Sequence, residues 1–204
     1  MKLIFGIGTG RCGTHSLSEL LNKQEGLDVT HELGDIPFLP WYFDVDKLNK
    51  YLEIIKKRKK QYCGDVAFYL LPYVEYIIKR YPESKFIALK REKEKTLKSF
   101  IKKTEGRNHW QRHNGSFFVQ DAWDKCFPKY YCSGKEKALD LYYDEYYNTV
   151  ESLIKKYPKN ISLYNLEELN NESGVSSVLN FIGIKKQNQK IKTNIKIKAR
   201  KNGS

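Results

Sequence analysis

The sequence predicts an α/β fold, a three-layer sandwich around a central, mainly parallel sheet of about five strands with a P-loop-like phosphate-binding turn after the first. Three observations point there. A glycine-rich stretch, Gly8-Thr9-Gly10-Arg11-Cys12-Gly13-Thr14-His15-Ser16, stands between the apolar run Leu3-Ile4-Phe5 and an amphipathic run, Leu17 to Leu21. Short apolar runs then alternate with longer stretches of helical period along the chain. At 204 residues, 40% of them hydrophobic, the chain is long enough to bury a real core in one domain.

The glycine-rich stretch is the strand, turn and helix N-terminus that cradles phosphate. Gly8, Gly10 and Gly13 let the main chain approach a ligand, and the free N–H groups of the first helical turn point at an anion. Gly8 and Gly13 have the Walker spacing, but Thr14 and His15 stand where a nucleoside triphosphatase carries Lys and Ser or Thr. The cation comes instead from inside the loop, at Arg11. In the same loop Cys12 is read as a small packing residue.

The helix through Leu17, Leu20 and Leu21 ends near Gly26, and Leu27–His31 follows as a short second strand. Ligands of a parallel α/β sheet gather beyond the carboxyl ends of its strands, which puts His31 and Glu32 beside the loop. Strand alternation points the His31 side chain away from Glu32 if the strand persists that far. Phe38, Trp41, Tyr42 and Phe43 stand in an irregular loop, as an acceptor wall or as a hydrophobic plug. Leu48, Tyr51, Leu52 and Ile55 give the next helix its buried stripe, closed by the solvated run Lys56-Lys57-Arg58-Lys59-Lys60. Gln61 to Asp65 is a third strand, with Asp65 placed to reach an acceptor or to hold a neighbouring side chain. Leu71, Val74, Ile77 and Ile78 make a further amphipathic helix, ended by Tyr81-Pro82.

Ser84 to Lys90 is the clearest strand. Arg91 follows it, and Ser99 lies eight residues further, on a helix over 93–103. An arginine and a hydroxyl so placed can meet on one anion, a different phosphate from the one in the glycine loop. Residues 104–134 show no period and read as an acceptor-side lid. Leu139, Tyr142, Tyr146, Val150, Leu153 and Tyr157 form the stripe of a long helix, read as core. Ile161 to Tyr164 is the last strand, and a short helix through Val178, Leu179, Phe181 and Ile182 ends at Gly183. Residues 1–184 are thus expected to be one domain, and 185–204, with eight Lys or Arg and no acid, a basic C-terminal tail.

These motifs resemble those of the sulfotransferase family. Arg11-Cys12-Gly13-Thr14 matches its 5′-phosphosulfate loop, Arg91 and Ser99 its R-x7-S clamp for a 3′-phosphate, and the closing strand and helix end as that fold commonly does. The resemblance implies transfer of a sulfuryl group from 3′-phosphoadenylyl sulfate to a hydroxyl or amine, leaving 3′,5′-adenosine bisphosphate, with no metal. It assigns Arg11, Cys12, Gly13, Thr14, His15, Ser16, Arg91 and Ser99 to the donor. Glu32 occupies the place of the base in the protein-tyrosine and heparan branches, with His31 second; Arg11 would meet the charge on the leaving phosphate. An R-K-G element that folds onto the 3′-phosphate in cytosolic members has a partial counterpart in Arg200-Lys201, broken by Asn202. The acceptor is unidentified, a saccharide being one candidate.

A net charge of +13 adds attraction for anionic partners. It also keeps a nucleic-acid-binding protein in view, although no zinc, helix-turn-helix or R-G-F signature is present; a P-loop kinase or nucleoside triphosphatase is the other alternative. Cys12, Cys63, Cys126 and Cys132 lack metal or C-x-x-C spacing and read as reduced thiols. No run of eighteen apolar residues predicts a membrane span, and the expected location is cytoplasmic. Oligomeric state is open.

Overall fold

The computed structural model describes residues 1–191. Strands β1 (Lys2–Ile7), β2 (Leu27–His31), β3 (Tyr62–Val66), β4 (Lys85–Lys90) and β5 (Ile161–Asn165) form one sheet in the order β2-β3-β1-β4-β5. Every pairing is parallel. The chain leaves β1 toward β2 and leaves β4 toward β5, so the strand order reverses between β1 and β4. The crevice for a ligand opens at the carboxyl ends of these two neighbours.

Among the described residues seven α-helices flank the sheet: α1 (Thr14–Asn22), the short α2 (Glu32–Asp35), α3 (Val45–Lys56), α4 (Val74–Arg80), α5 (Lys93–Lys103), α6 (Lys135–Lys156) and α7 (Glu172–Phe181). Period-2 alternation along the strands feeds two cores. Leu3, Phe5 and Ile7 of β1 with Phe86 and Ala88 of β4 meet α3, α4 and α6; Ile4, Ile87 and Leu89 meet α1 and α7. The three layers follow directly.

The structure departs from the sequence reading in three places. The helix expected from Leu71 starts as a 3-10 segment over Phe68–Tyr73, because Pro72 withholds a backbone donor, and becomes α-helical only at Val74. Residues 104–134 are irregular apart from a 3-10 turn over Ala122–Cys126, yet both ends of the segment are anchored. Trp110 is fully buried, its carbonyl accepts from the Tyr130 N–H (2.8 Å), and Phe127 stacks on Phe68 with ring centroids 4.3 Å apart. The middle of the segment stands in solvent, with Phe117 93% exposed, and Tyr131 near its end is exposed as well. Finally, the chain past residue 184 does not leave the domain at once. The Gln24 side chain accepts from the Lys190 N–H (2.8 Å) and donates to its carbonyl (3.0 Å), holding 185–190 against α1. Ile195, Ile197 and Arg200-Lys201 lie outside the described residues. Among the described residues no helix is long and apolar enough to cross a membrane.

Candidate functional site

The loop after β1 is shaped by backbone that few residues tolerate. Gly10 (φ 85°), Arg11 (φ 58°) and Gly13 (φ 96°) all lie in the left-handed region. Gly8 is required by space: a Cβ there would lie 2.5 Å from Cys12 Sγ and 2.7 Å from the Leu89 carbonyl oxygen. Gly13 is the N-cap of α1 and no side chain caps that terminus, so the first N–H groups of the helix face outward without a protein acceptor from a cap. Cys12 is wholly buried and burial pushes its thiol up, which fits the packing role read from the sequence and leaves only its main chain to serve a ligand.

Helix α6 holds this loop from behind. The Tyr146 hydroxyl accepts from the Gly8 N–H (2.9 Å) and donates to the Phe68 carbonyl (3.0 Å). The Tyr142 hydroxyl donates to the Thr9 carbonyl (2.9 Å), Tyr147 to Leu89 (2.7 Å) and Tyr143 to Arg91 (2.6 Å). Tyr142 and Tyr146, on the stripe read as plain core, and Tyr143 and Tyr147 beside them thus hold the main chain of the loop and of the β4 end. Two adjacent tyrosine pairs four residues apart were the available signal, since a buried Tyr hydroxyl needs a partner that Leu or Phe does not.

Arg11, Arg91 and Ser99 lie close together, with the Ser99 hydroxyl on Arg11 of the loop rather than on Arg91, the residue the sequence pairs it with. Arg11 Nε donates to Ser99 Oγ (3.0 Å), and Arg91 Nη1 donates to the Arg11 carbonyl (3.1 Å). Burial lowers the Arg11 pKa, and the neighbouring Arg91 charge lowers it further, while Glu32 opposes both. Among the described residues neither guanidinium makes a salt bridge. Two cations thus meet at the carboxyl edge of β1 and β4 beside an uncapped helix terminus, an arrangement that suits phosphate or sulfate.

On the β2 side, Glu32 (φ 47°), Leu33 (φ 48°), Gly34 (φ 87°) and Asp35 (φ 67°) form a left-handed turn rather than regular helix. Asp65 fastens it. Its buried carboxylate accepts from the Leu33 N–H (3.1 Å), the Thr30 hydroxyl (2.6 Å) and the Tyr51 hydroxyl (2.7 Å), so of the two roles open to Asp65 the structure gives it the holding one. Desolvation first, then the charges of Asp65 and Asp35, push the Glu32 carboxyl up to about 8. Burial pushes His31 the other way, below the usual imidazole value.

One expectation is corrected here. His31 does not point away from Glu32: the strand ends at His31 and the left-handed turn swings the carboxyl back, leaving His31 Nδ1 4.0 Å from Glu32 Oε2 and 3.5 Å from Asp35 Oδ1. His31 Nε2 lies 3.0 Å from Thr14 Oγ1, the hydroxyl that opens α1. His15, half exposed, stands 5.2 Å from the His31 ring and 3.6 Å from Glu19, while Ser16 borders a small crevice with Leu20, Leu166 and Leu169. Of the hydrophobic loop, Phe38 packs on Tyr51 and Trp41 on Tyr142 and Tyr146, the plug arrangement, whereas Tyr42 and Phe43 keep exposed surface.

Two groups have ligand atoms close enough for a metal ion, His31 with Glu32 and Asp35, and His109 with Asp121 and Asp124. In the second, Arg107 Nε lies 3.0 Å from Asp121 Oδ2 and Lys129 Nζ 3.9 Å from Asp124 Oδ1, so cations already sit on both carboxylates.

Fold and site together define an α/β protein with a glycine loop that lacks the Walker lysine and carries an arginine beside an uncapped helix start. The sulfotransferase-domain profile matches residues 3–186, and the chain belongs to the sulfotransferase family. Among solved structures it is similar to a sulfotransferase from Alicyclobacillus acidocaldarius, at 15% identity and a TM-score of 0.59, covering 97% of this chain and 86% of that one. It is also similar to mouse sulfotransferase SULT7A1, solved with PAP bound, at 16% identity and a TM-score of 0.54. That match covers 90% of this chain and 59% of the mouse protein. At these identities the two structures speak for the fold. No curated protein matches the chain by sequence.

Proposed function

We propose that residues 1–184 form a single catalytic domain that transfers the sulfuryl group of 3′-phosphoadenylyl sulfate to a hydroxyl or amine of an acceptor, such as a saccharide. The observation that carries this reading is the meeting of Arg11, Arg91 and Ser99 beside the uncapped start of α1, with Glu32 across the crevice. The loop and Arg11 take the donor's 5′-phosphosulfate; Arg91 and Ser99 take its 3′-phosphate. As the acceptor oxygen attacks sulfur, its proton leaves to the Glu32 carboxylate. The bond from sulfur to the bridging oxygen breaks, and Arg11 with the loop N–H groups meets the charge released there. His31 orients Thr14 at the mouth of the loop and is the second candidate for the proton. No step calls for a metal ion.

Thr14 and His15 stand against ATP, because neither supplies the lysine that a β/γ-phosphate site needs. Calorimetric titration with 3′,5′-adenosine bisphosphate, repeated with ATP and Mg²⁺, tests the reading without knowing the acceptor. Saturable binding of the bisphosphate, tighter than ATP and lost in Arg91→Ala, supports it. Binding of ATP alone, or of neither, overturns it.

A further inference from the structure

We infer that α6 is a positioning element that sets the distance between two anion subsites, one at the loop after β1 and one at the end of β4. The inference rests on the donor reading above but concerns residues that touch no donor. Within one and a half turns of helix, Tyr142 and Tyr146 bind the main chain of Thr9 and Gly8, while Tyr143 and Tyr147 bind that of Arg91 and Leu89. The four side chains are buried. An α-helix is stiff over this length, so the loop and the strand end are fixed to one ruler.

The contacts also have a sign. A carbonyl turned toward a phosphate repels it, whereas an N–H attracts it. All four hydroxyls donate to carbonyl oxygens: three hold those of Thr9, Leu89 and Arg91, at the two subsites, on the protein side, and Tyr146, which accepts from the Gly8 N–H, donates to Phe68. Left-handed backbone at Gly10, Arg11 and Gly13 turns the rest of the loop, a conformation that is costly at Arg11 and persists only where its surroundings over-determine it. The Tyr142 hydroxyl fixes the residue just before Gly10, and Arg91 holds the Arg11 carbonyl itself. Removing a hydroxyl frees one subsite to relax while the other stays on the ruler.

That asymmetry is the test. Tyr142→Phe and Tyr143→Phe keep the ring and delete one hydroxyl each, and their affinities for 3′,5′-adenosine bisphosphate and for 5′-AMP are compared with wild type. Tyr142→Phe is expected to weaken both ligands about tenfold. Tyr143→Phe is expected to weaken the bisphosphate about tenfold and leave 5′-AMP, which lacks the 3′-phosphate, within about twofold. Tyr73→Phe is the control, since its buried hydroxyl binds the Pro40 and Tyr42 carbonyls, away from both subsites, and thermal unfolding is recorded for all three. Equal losses for both ligands in Tyr143→Phe, or losses in Tyr73→Phe as large as in the other two, would show a general packing role and overturn the inference. A wild-type protein that binds neither ligand overturns the donor reading itself, and the two failures are told apart.

Discussion

The Nε of Arg11 lies 3.0 Å from the Oγ of Ser99, a pair separated by 88 positions in the chain and joined by the adjacency of β1 and β4. The contact ties the loop cation to the hydroxyl assigned to the other phosphate. Arg11→Ala removes a cation aimed at the crevice and is expected to weaken bisphosphate binding by tenfold or more, as loss of a charge-assisted contact does. Ser99→Ala removes one neutral hydroxyl donor and is expected to cost only severalfold. Titration of both variants checks the order; a larger loss in Ser99→Ala would reverse the assignment of the leading group.

The carboxyl of Glu32, pushed up to about 8 by burial and by Asp65 and Asp35, gives the reaction a pH signature. A base works only when deprotonated. With the free enzyme's pKa near 8, kcat/KM is expected to rise with pH through that value and then level off. Glu32→Gln is expected to lower turnover by about a hundredfold or more and to flatten the rise. A Glu32→Gln enzyme with full turnover, or with the same inflection, would move the base elsewhere, with His31 next in line.

Much of this site could be read in the sequence because it is local or rests on spacing. Gly8, Arg11 and Gly13 announce a tight loop through residue type, and a strand end with two turns of helix puts Arg91 and Ser99 in one neighbourhood. All five strands are legible, β1 and β4 as short apolar runs and β2, β3 and β5 as brief, partly polar stretches between helical periods. What could not be read depends on tertiary contact. Glu32 and Leu33 are not residues that advertise a left-handed turn; it exists because Asp65, on another strand, holds the Leu33 N–H. The four tyrosines of α6 have the period of ordinary core, and only the fold reveals that their hydroxyls end on the loop. Residues 104–134 have no period at all, so the burial of Trp110 leaves no local trace.

Trp110 gives a direct measure of how firmly that irregular segment is attached. It is fully buried, meets Phe100 edge-on at 5.1 Å between centroids and lies 4.9 Å from Phe127. Trp110→Ala leaves a large void among aromatic rings and is expected to cost about 3–5 kcal/mol of stability by denaturant unfolding. A loose lid would give a cost near zero.

The same carboxyl that sets the pH profile should leave a mark on stability, independent of any acceptor. In the unfolded chain Glu32 ionises near 4.5, in the folded chain near 8, so the fold prefers its neutral form. That preference counts in full below pH 4.5, where both states carry the proton, and is lost as pH rises through 8, where the folded protein must hold a buried charge. Glu32→Gln stays neutral throughout and cannot lose it. The variant is therefore expected to gain on wild type between pH 6 and pH 9, by on the order of 3 kcal/mol at the upper end. Urea unfolding at the two pH values decides it. A gain that grows with pH means the carboxyl is buried against its like-charged neighbours as a poised base, whereas a constant difference means Glu32 is ionised and paired, and that Arg11 outweighs Asp65 and Asp35.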